Sequence, residues 1–100
     1  MVIQLLLAKS SARTREEWEK QRPIREKVLI ILKKQQGFIR FQPLWNLDGS
    51  REIAALLTWA TQQDMEAFIH STAFDEAKAV SMTLRESDII SKAYMVGQPA

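Results

Sequence analysis

A single imidazole limits the chemistry open to this chain. His70 is its only histidine and it has no cysteine, so thiolate catalysis, disulfides and Cys-based metal sites are excluded, and little is left for a zinc site. His70 lies in TWATQQDMEAFIHSTAF, residues 58–74, where Trp59 nears the end of an apolar run. An imidazole titrating near neutrality could take a proton from a phenol or enol, bind a metal or haem, or cap a helix at the solvent margin. Met65, Phe68 and Ile69 mark the buried face of a helix here. His70 falls about 100° of rotation beyond Ile69, at the edge of that face, so a surface or capping role is the simplest reading.

Few other residues have chemistry to offer. Gln4 is the only neutral polar residue in VIQLLLAK, residues 2–9. Trp59 closes an apolar strand and reads as core or pocket wall, while the Tyr94 hydroxyl could meet a ligand or the backbone. Arg40, inside GFIRF, is unexpected in a buried strand and suits either a carboxylate or phenolate ligand or an acid across a dimer. Trp18 reads as a core anchor.

The elements that position these residues follow from periodicity. Residues 2–9 form a short strand apolar on both faces. Thr14 with Glu17 is a capping-box signature, and Trp18, Ile24, Val28, Ile31 and Leu32 recur at helical spacing, predicting a helix over 14–35 with a kink or restart at Pro23 and a stop at Gly37. Asp48-Gly49 between GFIRFQPLWNL and REIAALLTWA predicts a hairpin, and Pro43 implies an edge position or a bulge in its first strand. Thr61 with Asp64 opens a second helix, interrupted at Ser71-Thr72, and DIISKAYMV, residues 88–96, forms the last strand. The order is strand, helix, strand, strand, helix, strand. That is an α+β, ferredoxin-like βαββαβ arrangement, with a four-stranded antiparallel sheet and both helices on one face. It occupies residues 1–96 as one domain, with 97–100 as a tail.

If Ile53, Ala55, Leu57 and Trp59 face the helices, then Ala54, Leu56 and Thr58 face away, and β1 alternates in the same two-sided fashion. An antiparallel sheet with one face in water would be polar on that face, so a second layer is needed, and a second copy of the chain supplies it most simply. The expectation is a homodimer paired through the sheet face. Charges total 14 Lys and Arg against 12 Asp and Glu and are interleaved, as in RTREEWEKQRPIREK, which describes a solvated face and not a nucleic-acid footprint. MVIQLLLA lacks a basic leader and a cleavage motif and is shorter than the roughly 20 residues of a membrane span. A cytoplasmic protein with neither membrane nor nucleic-acid partner is expected.

The element order, the WATQQDMEAFIHSTAF stretch and the Gly-aromatic opening of the second strand resemble the antibiotic biosynthesis monooxygenase (ABM) domain of the dimeric α/β-barrel superfamily. The residues that carry the resemblance are Trp59, Asp64 to Ala67, Phe68, and Ser71 with Phe74. It implies sheet-to-sheet pairing as a dimeric α/β barrel, and a pocket between sheet and helices that takes a small apolar or aromatic ligand. Such domains include cofactor-independent oxygenases acting on anthrones and quinols, haem-degrading enzymes, and proteins without an established substrate. Many members carry His where this chain has Phe68 and Ala73. The haem-degrading branch has its iron ligand where this chain has Lys78, an ammonium at neutral pH, and a strand Asn near Gln4.

The resulting expectation is a monooxygenase without metal or cofactor, acting on a small aromatic, quinol or anthrone-like substrate. His70 and Trp59 would be catalytic, and Gln4, Phe68, Phe74 and Tyr94 would bind substrate. The alternative is a non-catalytic dimeric small-ligand-binding protein, with haem binding or degradation behind both. An RNA-recognition reading fails because GFIRF follows the first helix directly, whereas the corresponding aromatic stretch belongs on the third strand, and EIAALLTWA holds one aromatic and no basic residue.

Overall fold

The computed structural model describes residues 1–99, so the end of the expected tail lies outside the described residues. β1 (Val2–Lys9) has the bounds that its apolar run predicts and occupies the interior of the sheet, paired antiparallel with β3 (Glu52–Trp59) on one side and β4 (Ile90–Met95) on the other. β2 (Phe38–Trp45) pairs with β3, which gives the order β2-β3-β1-β4. This is the ferredoxin-like arrangement. Among the described residues no helix is long and apolar enough to cross a membrane.

The expected first helix is two helices. α1 (Arg15–Lys20) starts at Thr14, whose hydroxyl accepts from the Glu17 N–H at 3.2 Å, while Glu17 reaches back to accept from the Arg13 N–H at 2.8 Å. The chain then breaks at Gln21 and restarts as α2 (Arg22–Lys33), with Pro23 in its first turn, where a missing N–H costs nothing. Gly37 has φ +79°, and a Cβ there would collide with the Asp64 carboxylate, so the loop can pass close to the next helix only as glycine. The hairpin forms with a six-residue connection, 46–51. The Asn46 side chain accepts from the Asp48 N–H at 2.7 Å and Asp48 from the Ser50 N–H at 2.8 Å, and Gly49 takes φ +86°. β2 lies at the sheet edge, as Pro43 implies, but the register shift falls at Ile39, between Phe38 and Arg40.

α3 (Gln62–Ile69) opens on Thr61, which accepts from the Asp64 N–H at 3.1 Å. It ends at His70, and Ser71 starts α4 (Thr72–Val80), so the predicted interruption is present. A single 3-10 turn, Met82–Leu84, follows, and β4 starts two residues later than expected.

Paired residues in neighbouring strands share a face. The register therefore puts Val2, Gln4, Leu6 and Ala8 with Trp59, Leu57, Ala55 and Ile53 on one face. That face carries the core, where Val2, Leu57 and Trp59 pack with Ile31 and Leu32 of α2, Met65 and Phe68 of α3, and Ala77 of α4. The opposite face holds Ile3, Leu5 and Leu7 beside Ala54, Leu56 and Thr58, flanked by Arg40, Gln42 and Leu44 on β2 and by Ile90, Lys92 and Tyr94 on β4.

Candidate functional site

The space between sheet and helices divides along β1 and β3 by side-chain size. Towards the start of β1, large groups fill it. Trp59 is fully buried, with its ring centroid 5.0 Å from that of Phe68 and 5.7 Å from that of Phe38, and Phe68 lies 5.1 Å from Phe74. Gln4, also fully buried, accepts from the Trp59 indole N–H at 3.1 Å and donates to the Ser91 hydroxyl at 3.3 Å. The amide is satisfied within the core, as a buried polar group must be.

Towards the end of β1, the same face tapers to Leu6 and Ala8 opposite Ala55 and Ile53. Here the sheet and helices leave a cavity of about 100 Å³, walled by these side chains with Phe41 and Pro43 of β2 and roofed by Trp18, Gln21, Arg25, Val28 and Leu32. The α1–α2 break places Gln21 in that roof. Trp18 stacks at 5.8 Å against Trp45 on β2. The Arg25 guanidinium lies 4.4 Å above the Trp18 ring and donates to the Trp18 carbonyl at 2.6 Å. Burial, with Arg22 nearby as the second cause, holds Arg25 below the usual arginine pKa, yet a guanidinium stays charged at neutral pH. Arg85 completes the wall, giving Nη1 to the Ser87 carbonyl at 2.9 Å and Nη2 to the Lys78 carbonyl at 3.2 Å. Among the described residues, the wall holds no carboxylate and no imidazole.

The six residues singled out from the sequence are not brought together around this cavity, and none of them lines it. Gln4, Trp59, Phe68 and Phe74 meet in the packed cluster. His70 is exposed and ends α3, its N–H donating to the Glu66 carbonyl at 3.1 Å. Tyr94 pairs with Ile3 on the outer face, 53% exposed, because its odd register position turns it away from the helices. Arg40 is exposed on that same outer face. Sequence reasoning passed over Gln21, Arg25 and Arg85, which read as part of charged surface runs. The one signal for Gln21 was its position two residues before Pro23, where a helix restart creates a corner. Among the described residues no three His, Asp or Glu side chains are grouped to hold a metal ion.

No family model matches the sequence, and no curated protein matches it. Solved structures do match. SnoaB, a cofactor-independent oxygenase from Streptomyces nogalater, superposes with a TM-score of 0.72 at 14% identity, covering 98% of this chain and 94% of its own. A Deinococcus radiodurans protein described as a candidate antibiotic biosynthesis monooxygenase gives 0.72 at 15% identity, over 100% and 96% of the two chains. A Bordetella bronchiseptica protein described in the same way gives 0.77 at 8% identity, over 97% of each. The chain therefore has the fold of the ABM-domain proteins, a four-stranded antiparallel sheet with its helices on one face.

Proposed function

We propose that the chain is an ABM-type, cofactor-independent monooxygenase, a cytoplasmic homodimer that oxidises a small aromatic, quinol or anthrone-like substrate in the cavity beneath α1 and α2. One observation carries this reading: an almost wholly apolar cavity with two guanidinium groups, Arg25 and Arg85, in its wall. An oxygenase without cofactor needs a substrate anion that can give an electron to dioxygen, and a nearby cation in a low-dielectric site favours that anion. The same apolar wall admits dioxygen and limits water. For a quinol the reaction closes without an external reductant. One oxygen atom enters a ring C–H bond as a hydroxyl, the other leaves as water with the two quinol hydroxyl protons, and the quinol supplies all four electrons. The product is a hydroxyquinone.

In this reading Gln4, Trp59, Phe68 and Phe74 act by packing the half of the interface against which the cavity ends, and His70 caps a helix. On ionisation one hydroxyl proton passes to solvent at the cavity mouth, and solvent returns one when the product water forms. The outer sheet face, where Ile3, Leu5, Leu7 and Leu56 form an apolar centre between Arg40 and Gln42 of β2 and Lys92 of β4, is covered by the same face of a second copy, because water is a poor neighbour for that apolar centre. The wall's lack of a titrating base favours a second reading, in which the same cavity binds its ligand without chemistry. Oxygen uptake separates them. With a chelator present, the purified protein is expected to consume oxygen with at least one member of a panel of anthrones and hydroquinones, and no protein-dependent uptake across the panel would leave the binding protein.

A further inference from the structure

The segment 13–20, which carries α1, leaves the domain and returns to it at one point. Ser11 is tied to the 3-10 turn, its N–H donating to the Leu84 carbonyl at 3.0 Å and its hydroxyl to the Thr83 carbonyl at 2.6 Å. The Gln21 amide donates to that same hydroxyl at 3.0 Å, so both ends of the segment are pinned together. Over 13–20 every residue is exposed except Trp18, which is half-buried. The helix is six residues long, too short to persist by itself in water. Its caps and ion pair are internal: Thr14 with the Glu17 N–H, Glu17 with the Arg13 N–H, and Arg15 with Glu19 at 3.1 Å. They travel with the segment if it moves. Among the described residues, Trp18 fastens it to the rest of the chain between the pinned ends, through the Trp45 ring, the Arg25 guanidinium and the bond from Arg25 to the Trp18 carbonyl.

Trp18 lines the cavity, and Trp45 does not. Resting on Trp45 at the end of β2, Trp18 bridges the helix layer and the edge strand, on the side where Pro43 lines the cavity and is itself exposed. Size then sets a requirement. An apolar cavity of roughly 150 Å³ in another protein holds a benzene ring, and the cavity here is smaller, about 100 Å³. A fused pair of rings fits only if part of the wall moves. The strands are held by their ladders, and α2 and α4 by buried residues, whereas α1 has none, so α1 is the wall element that costs least to displace. We infer that Trp18 is the gate of this cavity. The 13–20 segment lifts as a strap hinged at Arg13 and Gln21, carries the Trp18 ring off Trp45, and admits ligands larger than one ring only when lifted. This rests on the cavity being the ligand site proposed above and does not depend on turnover.

The test reads motion and binding separately. In the ligand-free protein, NMR relaxation dispersion is expected to show microsecond-to-millisecond exchange in the α1 amides and the Trp18 indole N–H, with the Ile31 and Leu32 amides and the Trp59 indole quiet. Naphthalene is the binding probe, followed by the signal of the Ala77 methyl in the cavity wall. Trp45→Ala takes away the ring on which Trp18 rests without changing a wall residue. The open population, and with it the apparent naphthalene affinity, is expected to rise at least about threefold. Trp45→Leu replaces it if the alanine protein folds poorly. Arg15→Gln breaks a pair internal to the strap and is expected to leave the affinity unchanged. A quiet Trp18 indole, exchange spread equally through α2, no shift of the Ala77 methyl, a naphthalene affinity unaffected at Trp45, or an equal rise in Arg15→Gln would each overturn the gate. Trp45-dependent naphthalene affinity with no oxygen uptake from the panel keeps the gate and removes the oxygenase, whereas uptake with a quiet Trp18 and a Trp45-independent affinity does the reverse.

Discussion

Replacing Phe68 by alanine separates a packed cluster from a pocket wall. Phe68 is 3% exposed and lies between Trp59 and Phe74, at centroid distances of 5.0 and 5.1 Å. Truncating a phenylalanine so enclosed removes its burial and leaves a void, at a cost of about 3–5 kcal/mol. A domain of this size has a total stability of only about 5–15 kcal/mol. At roughly 4–8 °C per kcal/mol the midpoint should fall by at least about 12 °C. The assay is urea and thermal unfolding followed by far-UV circular dichroism, at one fixed protein concentration because the proposed subunit association would contribute to apparent stability. His70→Ala is the internal control, since an exposed residue whose side chain makes no hydrogen bond among the described residues should move stability by no more than about 0.5 kcal/mol. A Phe68→Ala loss below about 1 kcal/mol, accompanied by altered hydroquinone affinity, would show ligand space where we describe core and would refute the division of the interface.

Two further perturbations test the surroundings of the site. Leu56→Arg places a charge in the middle strands of the outer face, between Leu5 and Gln42. Since an uncompensated buried charge costs about 3–5 kcal/mol, light scattering at micromolar concentration should show folded monomer in place of the proposed dimer, and a mass equal to that of the unsubstituted protein would mean that this face is not an interface. Glu86 accepts from Arg51 at 2.8 Å, and this bond above all holds its carboxyl below the ordinary value of 4.5. A lowered folded pKa stabilises above 4.5 and is lost as pH falls through the folded value. Glu86→Gln should therefore flatten the loss of stability in acid, and superimposable acid titrations of the two proteins would exclude the Arg51 bond as its cause.

The fold was legible because its signals are local. β1 could be read from an uninterrupted apolar run, both helix starts from a threonine followed three residues later by an acid, and the hairpin from Asp48-Gly49. The two-sided character of the sheet followed from alternation alone, because a period of two assigns every residue to a face once one is placed. The same logic, applied to pairing, would have put Gln4 and Trp59 on one face and Tyr94 on the other. The site was not legible, because the cavity arises where Ala8 and Ala55 on different strands fall beneath the corner between α1 and α2. No spacing along the chain encodes that coincidence. Gln21 and Arg25 lie in a run of alternating charges, and only the fold shows that two of its members turn inward.

The edge strand β2 also bears on how copies of this chain can associate. An edge presents a row of backbone donors and acceptors on which further strands can add without limit, the geometry of fibril growth. In β2 the register shift at Ile39 breaks the start of that row, and Pro43 near its other end contributes no N–H at all. Both irregularities stand on the one strand that would otherwise offer eight residues of extended, partly apolar backbone. Strand-by-strand growth from this edge is thereby interrupted, while the proposed pairing through the broad face, which would close after two copies, is left untouched.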